Sequence, residues 1–395
     1  MSTAAARPDA IRRHNLGLLL AQIHRDGELS RAQLTQRLSL SRSTVGALVA
    51  DLTELGLLDE HVPTGGARAG RPSHLVGPRP DGPYAIAVDV EITHLTTAAV
   101  GIGGHVLARD VAVTDPSPSP AQPIAELIVE AAQRLGAQVG PGAWPVGVGV
   151  SVPGTVGRQD GLVEFAPNLG WRDAPFGKML MSMLPPDLPV AIGNDADVAV
   201  VAEHLRGSGR GCDDLVYLMG RIGVGAGVIV NGAPLRGRDG HAGEVGHNVV
   251  DASGPPCHCG KRGCVETYIG DKALLKLAGR RGEPTAETIA KLFADAAAGD
   301  KRVADAVRTV ARALGHTVAS LVNVLNPERV ILGGSLAGVY EFAPEDVAAA
   351  MDEYAMSIAH EAVDICTPGL NGDSSLLGAA ELAFTQLLID PVSRR

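Results

Sequence analysis

The sequence predicts a helical head with a small β wing, residues 1–77, ahead of an α/β body that fills the chain from residue 84 onward. Three observations predict it. Three short helical stretches with capping signals precede an arginine- and glycine-rich loop. Past Tyr84, apolar β-like runs alternate with helical stretches and end in glycines, the pattern of an α/β fold that binds ligands at its strand ends. Between the two parts, Pro78-Arg79-Pro80-Asp81-Gly82-Pro83 carries three prolines and no periodicity, and reads as a linker over 78–83.

In the head, Leu16, Leu19, Leu20 and Ile23 recur at helical spacing up to a break at Asp26-Gly27. Ser30 with Gln33 three residues on is a capping-box pattern for a second helix carrying Leu34 and Leu38. Ser41 caps a third, whose Val45, Leu48, Val49, Leu52 and Leu55 face inward and which Gly56 ends. Two short helices joined by a tight turn suit a helix-turn-helix, whose second helix presents its N-terminal residues to the major groove. Arg31, Ser41, Arg42, Ser43 and Thr44 are therefore candidate DNA contacts. Leu57-Leu58 to Leu75-Val76 reads as a strand pair around TGGARAGRP, a wing whose Arg68 and Arg71 suit a narrow minor groove. The alternative is a helical interaction module with a solvated arginine loop.

In the body, AIAVDVEI and TTAAVGI read as strands, IAELIVEAAQRLGAQV as an amphipathic helix, and VGVGVSVPG as a strand into a turn. PVAIGNDADVAVVAEHL is a strand feeding a helix at Asn194-Asp195. LVYLMGRIGVGAGVIVNG is a hairpin with Gly223, Gly225 and Gly227 at its bend, and RVILGGSL a strand ending in paired glycines.

Composition limits the function. A chain of 395 residues that is 45% hydrophobic buries a large core and holds two to three domains by length. Net charge is 34 − 44 = −10, which excludes a generally basic nucleic-acid coat but not a local patch. Residues 1–80 hold ten Arg, no Lys and seven acids, 10 − 7 = +3, which leaves −13 for the remainder. The start, MSTAAARPDAIRRHN, lacks the apolar core of a signal peptide, and no run of about eighteen apolar residues predicts a membrane span. The expectation is a cytoplasmic protein, nucleoid-associated when bound to DNA, with no membrane partner. Structural disulfides are unexpected in that reducing compartment. Three of the five cysteines nonetheless fall in CHCGKRGC, Cys257 to Cys264. Free thiols, a redox pair or a metal site remain.

GHAGEVGHNVV followed by CHCGKRGCVE resembles the signature of the ROK family, which comprises sugar kinases and repressors with a winged helix-turn-helix ahead of a kinase-like body. SVPGTV at 151–156, APNLGW at 166–171, NDAD at 194–197 and VILGGSL at 330–336 follow the family's landmarks in order. The resemblance covers nearly the whole chain and is strongest to the xylose- and N-acetylglucosamine-repressor branch. It implies a two-lobed, actin/hexokinase-like (ribonuclease-H-like) body with a smaller lobe over 84–193 and a larger one over 194–395. A C-terminal helix at about 376–390 is expected to pack back on the smaller lobe. It implies a closed structural Zn2+ site of His247, Cys257, Cys259 and Cys264, whose one nitrogen and three sulfurs leave no open position for catalysis. His258, beside Cys257, would be a strained ligand. Cys212 and Cys366 read as small core residues. It also implies a sugar pocket of Asn168, Asn194, Asp195, Glu244, His247 and Glu266, with Asp195 at the position of the kinases' general base.

Phosphoryl transfer needs more than a base, because positioning and charge neutralisation around the phosphates carry it. The family's first phosphate loop reads D-x-G-G-T; here it is Asp89-Val90-Glu91-Ile92-Thr93. A carboxylate and a β-branched residue replace the glycines, and one like-charge pair at about 4 Å costs about 4 kcal/mol at an effective dielectric of about 20. The expectation is no enzymatic activity, with Asp195 vestigial. The chain then reads as a sugar-responsive transcriptional repressor of carbohydrate metabolism, a homodimer or homotetramer whose partners are a double-stranded DNA operator and a sugar or sugar-derivative effector. The alternatives are an active ATP-dependent sugar kinase with an appended DNA-binding domain, and a zinc-stabilised scaffold that binds a phosphotransferase protein.

Overall fold

A computed structural model of the chain describes residues 8–62, 74–114, 120–157 and 160–393. The head consists of α1 (Pro8–Asp26), β1 (Leu29–Ser30), α2 (Arg31–Leu38), α3 (Arg42–Glu54), β2 (Leu58–His61) and β3 (Leu75–Pro78). The caps form as their sequences dictate. Gln33 N donates to Ser30 Oγ while Ser30 N donates to Gln33 Oε1, and Ser41 Oγ accepts from Thr44 N. β1, which the sequence did not reveal, pairs with β3, so the wing is three-stranded in the order β1-β3-β2. Leu38 and Leu55 are partly rather than fully buried against the head's core.

The body is built on two five-stranded sheets. The first uses β4 (Pro83–Val90), β5 (His94–Gly101), β6 (Val106–Val113), β7 (Trp144–Val152) and, beyond a small flap of β8 (Thr155–Val156), β9 (Val163–Ala166) and β10 (Trp171–Ala174), β11 (Val190–Asn194). Helices α4 (Ala121–Gln138) and α5 (Phe176–Met183) cover one face, and α6 (Asp195–Arg206) leaves the end of β11. The second sheet uses β12 (Leu215–Gly220), β13 (Val224–Val230), β14 (Ala233–Pro234), β15 (Arg329–Gly334) and β16 (Asp364–Cys366). Its helices are α7 (Glu266–Ile269), α8 (Asp271–Leu277), α9 (Ala286–Ala297), α10 (Lys301–Leu325), α11 (Ser335–Phe342), α12 (Pro344–Tyr354) and α13 (Ser357–His360), and the chain closes with α14 (Ser374–Ile389). The sheet orders are β11-β7-β4-β5-β6 and β14-β13-β12-β15-β16. In each, the first three strands form an antiparallel meander and the last two add in parallel beside the first. The same topology therefore occurs twice, and the strand ends that carry ligand chemistry are Asp89–Glu91 in one sheet and Gly220–Gly223 in the other.

The bend of the β12–β13 hairpin holds Gly223 alone. Gly225 and Gly227 lie inside β13, opposite Met219 and Tyr217, which corrects the reading that placed all three at the turn. Their role is close packing: a Cβ on Gly227 would stand 2.3 Å from the carbonyl oxygen of Ala196 in α6. Helix α14 packs on β4, β7 and α6, so the C-terminal segment lies against the first sheet. Leu16, Leu19 and Leu20 of α1 share one core cluster with Ala85 and Val100 of the body and Phe384 of α14. The head is thus packed on the body as well as joined to it by the turn at Arg79–Gly82.

Candidate functional site

A cavity of about 500 Å3 opens between the two sheets. Asn168, Asn194, Asp195, Glu244, His247 and Glu266 all line it, so the fold brings the six sugar candidates to one place. They arrive from separate elements: the β9–β10 turn, the N-terminus of α6, the segment 240–247 after β14, and the first residue of α7. Asn194 is largely engaged by the backbone. Its Oδ1 accepts from Ala196 N and Asp197 N to cap α6, and its Nδ2 donates to Gly154 O at 3.1 Å. Asp195 is buried, and burial pushes its pKa up to about 6 against the charge of Arg221, with Asp89 adding to the rise. Asp197, two residues further along α6 and unassigned by the sequence, is pushed up to about 7 by burial, opposed by Arg236 and assisted by Asp195 and Glu244. Glu266 Oε2 accepts from Val224 N at 3.3 Å, and Oε1 lies 2.9 Å from His258 Nδ1.

Behind this wall sit His247, Cys257, Cys259 and Cys264, whose ligand atoms all lie within 4.8 Å of one another. No disulfide joins them. Tetrahedral zinc with Zn–S bonds of about 2.3 Å requires S···S edges of about 3.8 Å and slightly shorter N···S edges. Cys259 Sγ and Cys264 Sγ are 3.7 Å apart, and Cys257 Sγ is 3.7 Å from His247 Nδ1. The donor set therefore fits a tetrahedral metal. His247 turns Nδ1 to the sulfurs and Nε2 toward Glu244, 4.0 Å away. His258 pairs with Glu266 instead of joining the sulfur set, although His247, His258 and Glu266 are close enough to form a second possible ligand group.

The phosphate-loop position holds an ion-pair cluster. Arg221, at the β12–β13 bend, reaches Glu91 Oε1 at 2.9 Å and Asp89 Oδ2 at 3.7 Å, and Ser151 Oγ donates to Asp89 Oδ1 at 2.8 Å. Burial works against the guanidinium charge, yet Asp89, Glu91 and Asp195 raise the Arg221 pKa above its usual value. The reason expected from sequence changes accordingly: Glu91 is not a bare repelling charge but is neutralised across the cleft by Arg221. Asp271 lines the same cavity. Burial raises its pKa, opposed by a hydrogen bond from Ser335 and the charge of Arg221.

In the head, Ser41, Arg42 and Ser43 are exposed at the start of α3, and Ser41 Oγ contacts the hydroxyls of Ser43 and Thr44 at 2.9 and 2.8 Å. Arg42 has no ion-pair partner among the described residues. Arg31 does: its Nη2 donates to Glu60 Oε2 at 2.6 Å, which ties α2 to the wing strand β2. Arg68 and Arg71 lie outside the described residues. No described helix is long and apolar enough to cross a membrane.

Sequence reasoning missed Arg221, Asp197 and Asp271. Arg221 had a signal, since it is the sole charge within LVYLMGRIGVGAGVIV. Asp197 lay inside NDAD, but that motif assigned a role only to Asn194 and Asp195. Asp271 had none, because an aspartate opening a helix is ordinary.

A winged helix-turn-helix head on a duplicated, actin/hexokinase-like α/β body with a cleft between its sheets is the architecture that these observations define. The chain belongs to the ROK family, whose model matches residues 85–386, and a MarR family model matches residues 17–69. The xylose repressor of Bacillus subtilis is 26% identical over 381 residues, covering 96% of this chain and 97% of the repressor. The crystal structure of a ROK family transcriptional regulator, homolog of the E. coli MLC protein, aligns with a TM-score of 0.79 at 25% identity, covering 97% of this chain and 98% of that one. A ROK family glucokinase from Streptomyces griseus, in complex with glucose and AMPPNP, aligns at 0.63 with 30% identity over 76% of this chain and 99% of its own.

Proposed function

We propose that this chain is a sugar-responsive DNA-binding repressor of carbohydrate metabolism whose nucleotide site has degenerated. The Glu91–Arg221 pair carries the reading. The phosphate loop of a sugar kinase needs backbone N–H groups free to approach a triphosphate. Here Ile92 obstructs that approach, and the cation nearest the loop is already matched to Glu91 and Asp89. Repressors and a regulator that align over both head and body support the same reading. In it the effector is held by Asn168, Asp195, Glu244, His247 and Glu266, with Asn194 fixing the frame. A structural zinc on His247, Cys257, Cys259 and Cys264 supplies a rigid cross-link, so that His247 Nε2 and Glu244 stand at fixed positions in the cleft. Arg42 and the wing arginines Arg68 and Arg71 contact operator DNA, and two copies read two half-sites.

Differential affinity of the effector for the DNA-competent and DNA-released forms is what makes such a protein a switch. The test is a gel shift on the gene's own upstream region across a panel of sugars, beside a coupled phosphorylation assay. One sugar is expected to change operator affinity while none is phosphorylated. A kinase with an appended head is the second reading, favoured by Asp195, whose pKa near 6 suits a general base; ordinary turnover with any sugar in the panel would establish it.

A further inference from the structure

The cleft extends well past the six sugar candidates. It runs continuously from Glu244 and His247 to Ile289 and Phe293 of α9, and its volume of about 500 Å3 lies in the range of about 300–1,000 Å3 that takes drug-sized ligands. Its two ends differ in chemistry. Carboxylates and imidazoles line the near end, whereas Ile92, Pro284, Ile289 and Phe293 wall the far end. The close approach of α11 to that wall depends on Gly338, where a Cβ would stand 2.7 Å from the Phe293 ring.

One further acidic group lines the cavity, Asp271 at the start of α8, whose N donates to Arg221 O at 3.2 Å. Asp271 is more than nine-tenths buried, and its Oδ1 has no hydrogen-bond partner among the described residues. A buried acceptor left unpaired costs stability, and a ligand hydroxyl that donates to it offsets that cost. Phosphates are poorly served at this end, because Arg221 is held by Glu91 and Asp89, and Asp271 adds an acid rather than a cation.

We propose that the far compartment is a second subsite, which takes the uncharged second ring of a disaccharide, its hydroxyl donating to Asp271 and its C–H face lying on Phe293. This rests on the sugar-responsive reading above and specifies the effector class as an unphosphorylated glycoside of two rings.

Calorimetric titration of the full-length protein with matched pairs tests it: xylose and xylobiose, glucose and cellobiose, galactose and lactose. In at least one pair the disaccharide is expected to bind about tenfold tighter or better, with D271A and F293A each bringing that ratio close to unity and leaving the monosaccharide Kd within about twofold. D271A removes a side chain without opening a large apolar cavity, and so reports even where F293A fails to fold. Monosaccharides that bind as tightly as their disaccharides, or a ratio unmoved by D271A, overturn the second subsite and leave the sugar-responsive reading standing. Folded protein that binds no saccharide of either size overturns both.

Discussion

Arg206, the last residue of α6, donates from Nη1 to the backbone carbonyl of His24 in α1 at 2.8 Å, and its Nη2 reaches Glu381 of α14 at 2.6 Å. His24 Nε2 lies 2.8 Å from the other oxygen of Glu381, while Gly103 N donates to His24 Nδ1 at 3.1 Å, so the pattern assigns the ring proton to Nε2. The same helix begins at Asp195 in the cleft, and its 12 residues span about 18 Å. The effector's influence on the head is therefore expected to pass along α6. R206A is expected to keep effector binding and sugar-free operator binding but to lose most of the effector's influence on operator affinity, read by gel shifts with and without sugar. An R206A protein that responds like the wild type would rule out this route.

The seam is also a stability element. Burial disfavours the charge of Glu381, yet His24 and Arg206 hold its pKa down at about 2. E381A strands a buried guanidinium and is expected to cost about 3–5 kcal/mol, the usual penalty for removing one partner of a buried pair. Urea unfolding at neutral pH measures it; a cost below about 1 kcal/mol would mean that water already shares this site.

The cysteine cluster predicts a metal-dependent cleft. Cys264 is fully buried, and neighbouring bridges pair Val249 with Cys264 and Pro256 with Arg262. C264S is expected to abolish bound zinc, measured as metal per chain, and to lower the melting temperature by at least several degrees, since structural zinc sites contribute folding energy directly. Effector affinity should fall with it, because His247 is shared between the sulfur set and the cleft wall. Purified wild-type chain that folds normally without zinc would contradict this.

The cleft carboxylates give a pH signature of defined sign. The pKa values of Asp195 and Asp197 rise to about 6 and about 7, above the unfolded value of about 3.9. Between those limits the folded chain binds protons that the unfolded chain does not, so stability increases as pH falls from about 7 toward about 4. Glu381 acts oppositely: its folded pKa lies below the unfolded value of about 4.3, so its contribution is present above that pH and is lost as pH falls toward about 2. Melting temperature is expected to rise as pH falls from 8 to 5.5 in the wild type and to rise less steeply in the D195N/D197N double variant. Equal slopes in the two proteins would show that these groups titrate normally.

Features legible in the sequence were local ones. Ser30 with Gln33, Ser41 before α3, and the spacing from His247 to Cys264 each place their atoms through short-range geometry, and the structure forms both caps and gathers the four metal candidates. The unread features depend on distance along the chain. β6 presents exposed Val111 and Val113 at a sheet edge, so it lacks the buried face that marks a strand. His24, Arg206 and Glu381 come from three elements, and each reads alone as an ordinary residue on an amphipathic helix. Gly225 and Gly227 looked like turn residues because glycine for bending and glycine for close packing leave the same trace in sequence. Arg31 looked like a free cation because Glu60, its partner, lies across the wing.

That last contrast sets the DNA prediction. Arg31 is already matched to Glu60, and turning it to a phosphate would leave that carboxylate bare beside the duplex, so it adds little net charge neutralisation. Arg42 gives up no ion-pair partner among the described residues and stands at the N-terminus of the recognition helix, where the helix dipole adds to its attraction for phosphate. R42A should therefore weaken operator binding and reduce the slope of log affinity against log salt by about one phosphate contact, whereas R31A should leave that slope almost unchanged. Because Ser41 caps the same helix through Thr44 N, S41A supplies the control for α3 itself: it costs about 1 kcal/mol of stability with no loss of cationic charge, so its salt slope should match the wild type. If R31A reduces the slope as much as R42A does, the Arg31–Glu60 pair opens on DNA and the duplex lies closer to α2 than this helix geometry implies.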